Sequence, residues 1–124
     1  MIQKITLLYV DDEPINLMLF EAIFRVKYEI IVARSGKEGL EKLKSNPQIE
    51  VVISDMRMPE MNGLSFISEA KLLYPKIYYY ILSGYDITRE IQESIANGLI
   101  LQYFQKPFKV DEINRAIEER IANE

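Results

Sequence analysis

Five side chains carry both the type and the placement for chemistry: Asp11, Asp12, Asp55, Ser83 and Lys106. Asp55 ends the apolar run Val51-Val52-Ile53-Ser54 and is followed by a loop shaped by Pro59 and Gly63. The run is too short for a helix and does not alternate with polar residues, so it reads as a strand buried on both faces. A residue at the carboxyl end of such a strand faces the crevice where open α/β sheets collect ligands. Asp11-Asp12-Glu13 stands in the same relation to residues 5–10, Ser83 to residues 77–82 and Lys106 to residues 100–104. Gathered carboxylates repel one another unless a cation joins them, and an all-oxygen set suits Mg2+. A lysine and a hydroxyl beside that cation suit the oxygens of a transferring phosphoryl group, with Asp55 as its acceptor. Taken singly, each residue has a plainer role: Asp55 and Ser83 can shape turns, Asp11 and Asp12 can cap a helix, and Lys106 can be a solvated lysine. Capping predicts no convergence of all five, so the fold must decide.

The elements that would position them alternate strictly. After the first strand, Pro14 opens a helix whose expected inward stripe is Ile15, Met18, Leu19, Ala22, Ile23 and Val26. Residues 28–33 form a second strand, and Ser35 with Glu38 has the spacing of a capping box for a second helix that ends near Asn46-Pro47. Asn62-Gly63 opens a third helix, which must stop before Pro75. The fourth strand is rich in tyrosine, and Asp86 is placed to cap a fourth helix that turns Ile87, Ile91 and Ile95 inward and stops at Asn97-Gly98. The fifth strand leads to a last helix with Val110, Ile113, Ile117 and Ile121 inward. Five strand–helix alternations without a repeat or linker predict an α/β fold: a doubly wound, five-stranded parallel sheet with helices on both faces. Right-handed crossovers then bring the five candidate residues to one rim.

Composition narrows the function. The 124 residues are 48% hydrophobic and suit a single domain over 1–124. With 15 basic against 19 acidic residues and no basic cluster, the chain offers no nucleic-acid surface. No apolar run reaches the length of a membrane span, and the residues after Lys4 do not read as a signal peptide. The absence of cysteine excludes disulfides and thiol chemistry and fits a reducing, cytoplasmic setting. The absence of histidine excludes Ser-His triads, imidazole metal sites and a phosphohistidine on this chain.

The chain closely resembles the receiver domain of two-component response regulators from its first strand to its last helix. The matching motifs are Asp11-Asp12, Ser54-Asp55-Met56-Arg57-Met58-Pro59 through Asn62-Gly63, Ser83-Gly84 and Lys106-Pro107-Phe108. The resemblance implies the flavodoxin-like strand order 2-1-3-4-5. It implies that Asp55 takes a phosphoryl group from a phosphohistidine on a sensor histidine kinase or a histidine phosphotransfer protein. It implies that Asp12, Asp55 and the backbone carbonyl of Arg57 hold Mg2+, with Asp11 acting mainly through water, and that Ser83 and Lys106 meet the phosphoryl oxygens. It further implies a cis Lys106-Pro107 bond, a switch formed by Ser83 and Tyr103, and a readout face built by the fourth helix, fifth strand and last helix for an output domain or protein partner. Such a domain is not an enzyme in the ordinary sense, since it catalyses only its own phosphorylation and dephosphorylation. The sequence departs from many receivers at Arg57, whose side chain, with Tyr85 opposite, is expected to set the phosphoryl lifetime, and at Asn97-Gly98-Leu99-Ile100, where a Gly-Ala pair is common.

Two other chemistries fail on particular residues. A haloacid-dehalogenase-like phosphatase resembles Asp-x-Asp, and the second position here is Arg57. A flavin binder on the same fold needs a Ser/Thr/Gly phosphate loop after the first strand, where Asp11-Asp12-Glu13 would repel the phosphate. The remaining alternative is a receiver-like docking module that is never phosphorylated.

Overall fold

The computed structural model describes residues 4–84 and 87–124. Five strands, β1 (Thr6–Val10), β2 (Glu29–Ala33), β3 (Ile49–Asp55), β4 (Tyr78–Ser83) and β5 (Gln102–Gln105), alternate with five helices, α1 (Pro14–Phe24), α2 (Gly36–Ser45), α3 (Gly63–Leu73), α4 (Arg89–Ala96) and α5 (Val110–Ala122). The strands form one parallel sheet in the order β2-β1-β3-β4-β5. All of β1 and nearly all of β3 are buried, as expected of central strands covered on both faces.

Alternation along each strand splits the interior into two layers. Leu8, Val10, Val52, Tyr79 and Ile81 pack with α2, α3 and α4 through Leu43, Phe66, Ile67 and Ile91. Leu7, Tyr9, Ile53, Tyr80, Leu82 and Phe104 pack with α1 and α5 through Leu17, Phe20, Phe24, Ile113 and Ile117. Tyr28, just before β2, closes the second layer with its hydroxyl on Asn114 Oδ1 at 2.7 Å.

Local signals act where the sequence places them. Ser35 caps α2 by accepting from the Glu38 backbone N–H at 3.0 Å, and Asn62 caps α3 by accepting from the Ser65 N–H at 2.8 Å. The fourth helix begins later than expected: Thr88 is its cap, accepting from the Ile91 N–H at 3.2 Å. Ile87 therefore precedes the helix and is exposed, while Ile91 is buried. The expected cap Asp86, like Tyr85, lies outside the described residues. Val110, expected inward, is exposed at the first position of α5, and the helix buries Ile113 and Ile117 instead.

The largest departure is the face of α1. The stripe expected inward is the exposed one, with Ile15 at 76%, Met18 at 71% and Val26 at 80% exposure. The helix instead buries Leu17, Phe20 and Phe24. Both faces are apolar, so periodicity alone does not choose between them. The aromatic pair wins because its rings find partners: Phe20 stacks on Tyr9 with centroids 4.0 Å apart, and both Phe20 and Phe24 contact Phe108, at 5.7 and 5.5 Å.

Candidate functional site

The carboxyl ends of β1, β3, β4 and β5 meet along one rim. Asp11 follows the last residue of β1 and is fully buried, with its N–H on the Ala33 carbonyl at 3.1 Å. Asp55 is the last residue of β3, its side chain 12% exposed. Asp12 is half-buried beside them. Asp11, Asp12 and Asp55 each offer an oxygen such that all three lie within 4.8 Å of one another. Lys106 Nζ bridges the set, 3.1 Å from Asp11 Oδ2 and 3.3 Å from Asp55 Oδ1. Its backbone N–H donates to the Ser83 carbonyl at 2.7 Å, fastening the loop after β5 to the end of β4. The Lys106–Pro107 bond is cis.

The loop after Asp55 is held from both ends. The Met56 N–H donates to Asp55 Oδ1 at 3.0 Å, and the Gly63 N–H donates back to the Met56 carbonyl at 2.8 Å. At Gly63 the chain passes so close to the end of β3 that a Cβ would collide with the Asp55 carbonyl oxygen and the Ile81 side chain. Glu60 stands at φ 69°, a left-handed conformation unusual for a side-chain-bearing residue. Between this loop and α4 opens a crevice of about 660 Å³ lined by Met56, Arg57, Pro59, Ser83 and Thr88. Arg57 is exposed at its mouth, and Ser83 is buried at its inner end.

The electrostatics follow from crowding acids in a part-buried rim. Burial pushes the Asp55 carboxyl up to about 6, and Asp11 adds to the rise, while Lys106 and the Met56 N–H oppose it. Burial works against the Lys106 charge, but Asp55 and Asp11 outweigh it and raise its pKa above the usual lysine value. A like-charged cluster of this kind has room for one more positive charge, and three carboxylate oxygens at this spacing fit a hard divalent cation.

Tyr103 is half-buried and packs on the Ile81 side of the sheet, whereas Phe104 faces α1 and α5. Ser83 follows Ile81 by two positions in β4 and so shares its face. Two groups escaped the sequence reading: the Tyr9 hydroxyl donates to Asp11 Oδ2 at 2.7 Å, and Asn16 Nδ2 donates to the same oxygen at 3.2 Å. Tyr9 lies two residues before Asp11 in an extended chain and Asn16 lies in the first turn of α1. That spacing is the signal that could have found them.

A family model described as the response regulator receiver domain matches residues 7–118. The chain is 30% identical over 121 residues to the transcriptional regulatory protein ZraR of Escherichia coli K12, covering 97% of this chain and 27% of that protein. It thus spans about a quarter of the length of that relative. It is 31% identical over 113 residues to the sporulation initiation phosphotransferase F of Bacillus subtilis 168, covering 90% of each. Among solved structures, a response regulator receiver domain protein from Clostridium thermocellum superposes with a TM-score of 0.85 at 28% identity, covering 96% of this chain and 95% of that one.

Proposed function

The chain belongs to the response regulator receiver domain family, and from that membership we propose that it accepts a phosphoryl group on Asp55 from a phosphohistidine of a histidine kinase or phosphotransfer protein. The observation that carries the reading is Lys106 bridging Asp11 and Asp55 within a cluster of three carboxylates at the strand ends. In the transfer an Asp55 carboxylate oxygen forms the bond to phosphorus as the phosphorus–nitrogen bond of the donor breaks, and the bonding pair leaves with the imidazole. Lys106 and Ser83 are the donors to the phosphoryl oxygens, where negative charge gathers. Asp12, Asp55 and the Arg57 carbonyl would hold Mg2+, which when bound supplies charge neutralisation between the acceptor and the incoming phosphoryl group.

The phosphoryl group biases a two-state element through contacts it makes in one state and not the other. Ser83 is the residue placed to sense it, Tyr103 the ring that relays it, and the face of α4, β5 and α5 the surface that an output domain or protein partner reads. No described helix is long and apolar enough to cross a membrane. We place the domain in the cytoplasm, where a phosphorylated kinase would meet it.

Intact mass after incubation with acetyl phosphate and Mg2+ tests the reading. The expected result is a gain of one phosphoryl group that is lost in Asp55→Asn. Equal gain in the variant would remove Asp55 from its role, and no gain in either protein, with Mg2+ binding intact, would favour a docking module that is never phosphorylated.

A further inference from the structure

Tyr9 is a buried phenol near the carboxyl end of β1, 1% exposed, whose ring is already accounted for by its stack on Phe20. Its hydroxyl is not. Sinking a hydroxyl into an apolar layer is costly unless it finds a partner, and the partner here is Asp11 Oδ2 at 2.7 Å. The same oxygen accepts from Asn16 Nδ2 at 3.2 Å and Lys106 Nζ at 3.1 Å, and Asp11 Oδ1 accepts from the Glu13 N–H at 3.0 Å. A carboxylate offers about four acceptor positions. Four protein donors thus engage Asp11, three of them on the oxygen that holds Lys106 and one on Oδ1. Asp55, by comparison, is engaged on Oδ1 by Lys106 and the Met56 N–H.

We infer that Tyr9 is a positioning residue for phosphoryl transfer: its hydroxyl commits Asp11 to Lys106 rather than to the cation. The inference rests on the reading of Asp55 as acceptor and of the three acids as a cation site. Donors on a carboxylate and a cation near it compete for the same negative charge. With the Tyr9 hydroxyl in place, Asp11 spends its charge holding Lys106 beside the acceptor, and direct coordination falls to Asp12 and Asp55. Without it, Asp11 carries more uncompensated charge and has one restraint fewer against turning toward the cation, with Asn16, Lys106 and the Glu13 N–H still on it. Cation binding then tightens, while Lys106 loses its fixed position and transfer slows. Simple loosening of the core would weaken both.

The test compares Mg2+ affinity by calorimetry on metal-free protein with the rate of phosphoryl incorporation from acetyl phosphate at saturating Mg2+. Tyr9→Phe keeps the ring stack and removes only the hydroxyl. Its Mg2+ Kd is expected to fall about three- to tenfold, the scale of a part of one hydrogen bond to a charged group, and its incorporation rate to fall by a similar factor. Phe20→Leu removes the stacking ring and leaves the hydroxyl, so it should lower the melting temperature and leave Mg2+ affinity unchanged. Any pairing in Tyr9→Phe other than tighter binding with slower incorporation overturns the assignment, as does tighter binding in Phe20→Leu. If the unmodified protein neither binds Mg2+ nor gains a phosphoryl group, the reading of the site fails and this role falls with it. If it does both and Tyr9→Phe behaves identically, only the role of Tyr9 is lost.

Discussion

Replacing Asp55 by asparagine should make the metal-free fold more stable, because the native site concentrates negative charge that folding alone does not relieve. Burial and Asp11 hold the Asp55 carboxyl at about 6, against 3.8 for an unperturbed one. A group whose folded pKa is raised favours the fold while protonated. That stability is fully present below about pH 4 and is lost as pH rises through 6. Above that point ionised Asp55 costs the fold roughly 3 kcal/mol relative to the unfolded chain, at about 1.4 kcal/mol per pKa unit. Its side chain is only 12% exposed, so solvent screens little of this, though relaxation of the acid cluster takes a share. Asparagine keeps an acceptor for the Met56 N–H, and Lys106 keeps Asp11, so few favourable contacts are lost. The net expectation at pH 7.5 in chelator is a gain of about 1–2 kcal/mol, or roughly 4–8 °C in melting temperature for a chain of this size. The gain should shrink through pH 6 and vanish near pH 4. Mg2+ at ten times its Kd should raise the stability of the unmodified protein by about 1.4 kcal/mol, and that of Asp55→Asn and Asp12→Ala by much less. Thermal unfolding followed by circular dichroism across pH 4–8, with chelator and with Mg2+, measures all of these. An Asp55→Asn protein no more stable than the unmodified one at pH 7.5, or an advantage that persists undiminished at pH 4, would refute the electrostatic account.

Three further outcomes follow from the site and its loops. Gly63→Ala forces a methyl group against the Asp55 carbonyl oxygen and should cost about 2–3 kcal/mol in urea unfolding; an unchanged midpoint would mean that the 56–63 loop yields freely. Ser83→Ala should abolish the amide shifts that phosphorylation sends to Tyr103 and α5, and their survival would route the coupling elsewhere. Arg57→Ala should shorten the phosphoryl half-life by about two- to fivefold, within 1 kcal/mol of barrier, because an exposed arginine at the crevice mouth crowds the hydrolytic water more than it stabilises charge. A longer half-life in the variant would show that charge stabilisation dominates.

What the sequence determined by itself is what local periodicity and chain stops determine. Short apolar runs separated by helices leave a parallel sheet as the arrangement that buries both faces of every central strand. Topology then places the ends of β1, β3, β4 and β5 side by side, so the neighbourhood of Asp11, Asp55, Ser83 and Lys106 was legible before any coordinate. Ser35 and Asn62 act as caps because capping depends on three neighbouring residues and little else. Tertiary structure decided what depends on a partner from elsewhere in the chain. Helix α1 carries two apolar faces, and the choice of Leu17, Phe20 and Phe24 over Ile15, Met18 and Leu19 was made by aromatic surfaces supplied from β1 and the Phe108 turn. Thr88 took the α4 cap because helix ends are marked by several competing residues and packing of Ile91 fixes the phase. Of the donors that close around Asp11, Tyr9 and Asn16 stand within five residues of it, whereas Lys106 comes from the loop after β5 and only the packed fold brings it to the same carboxylate.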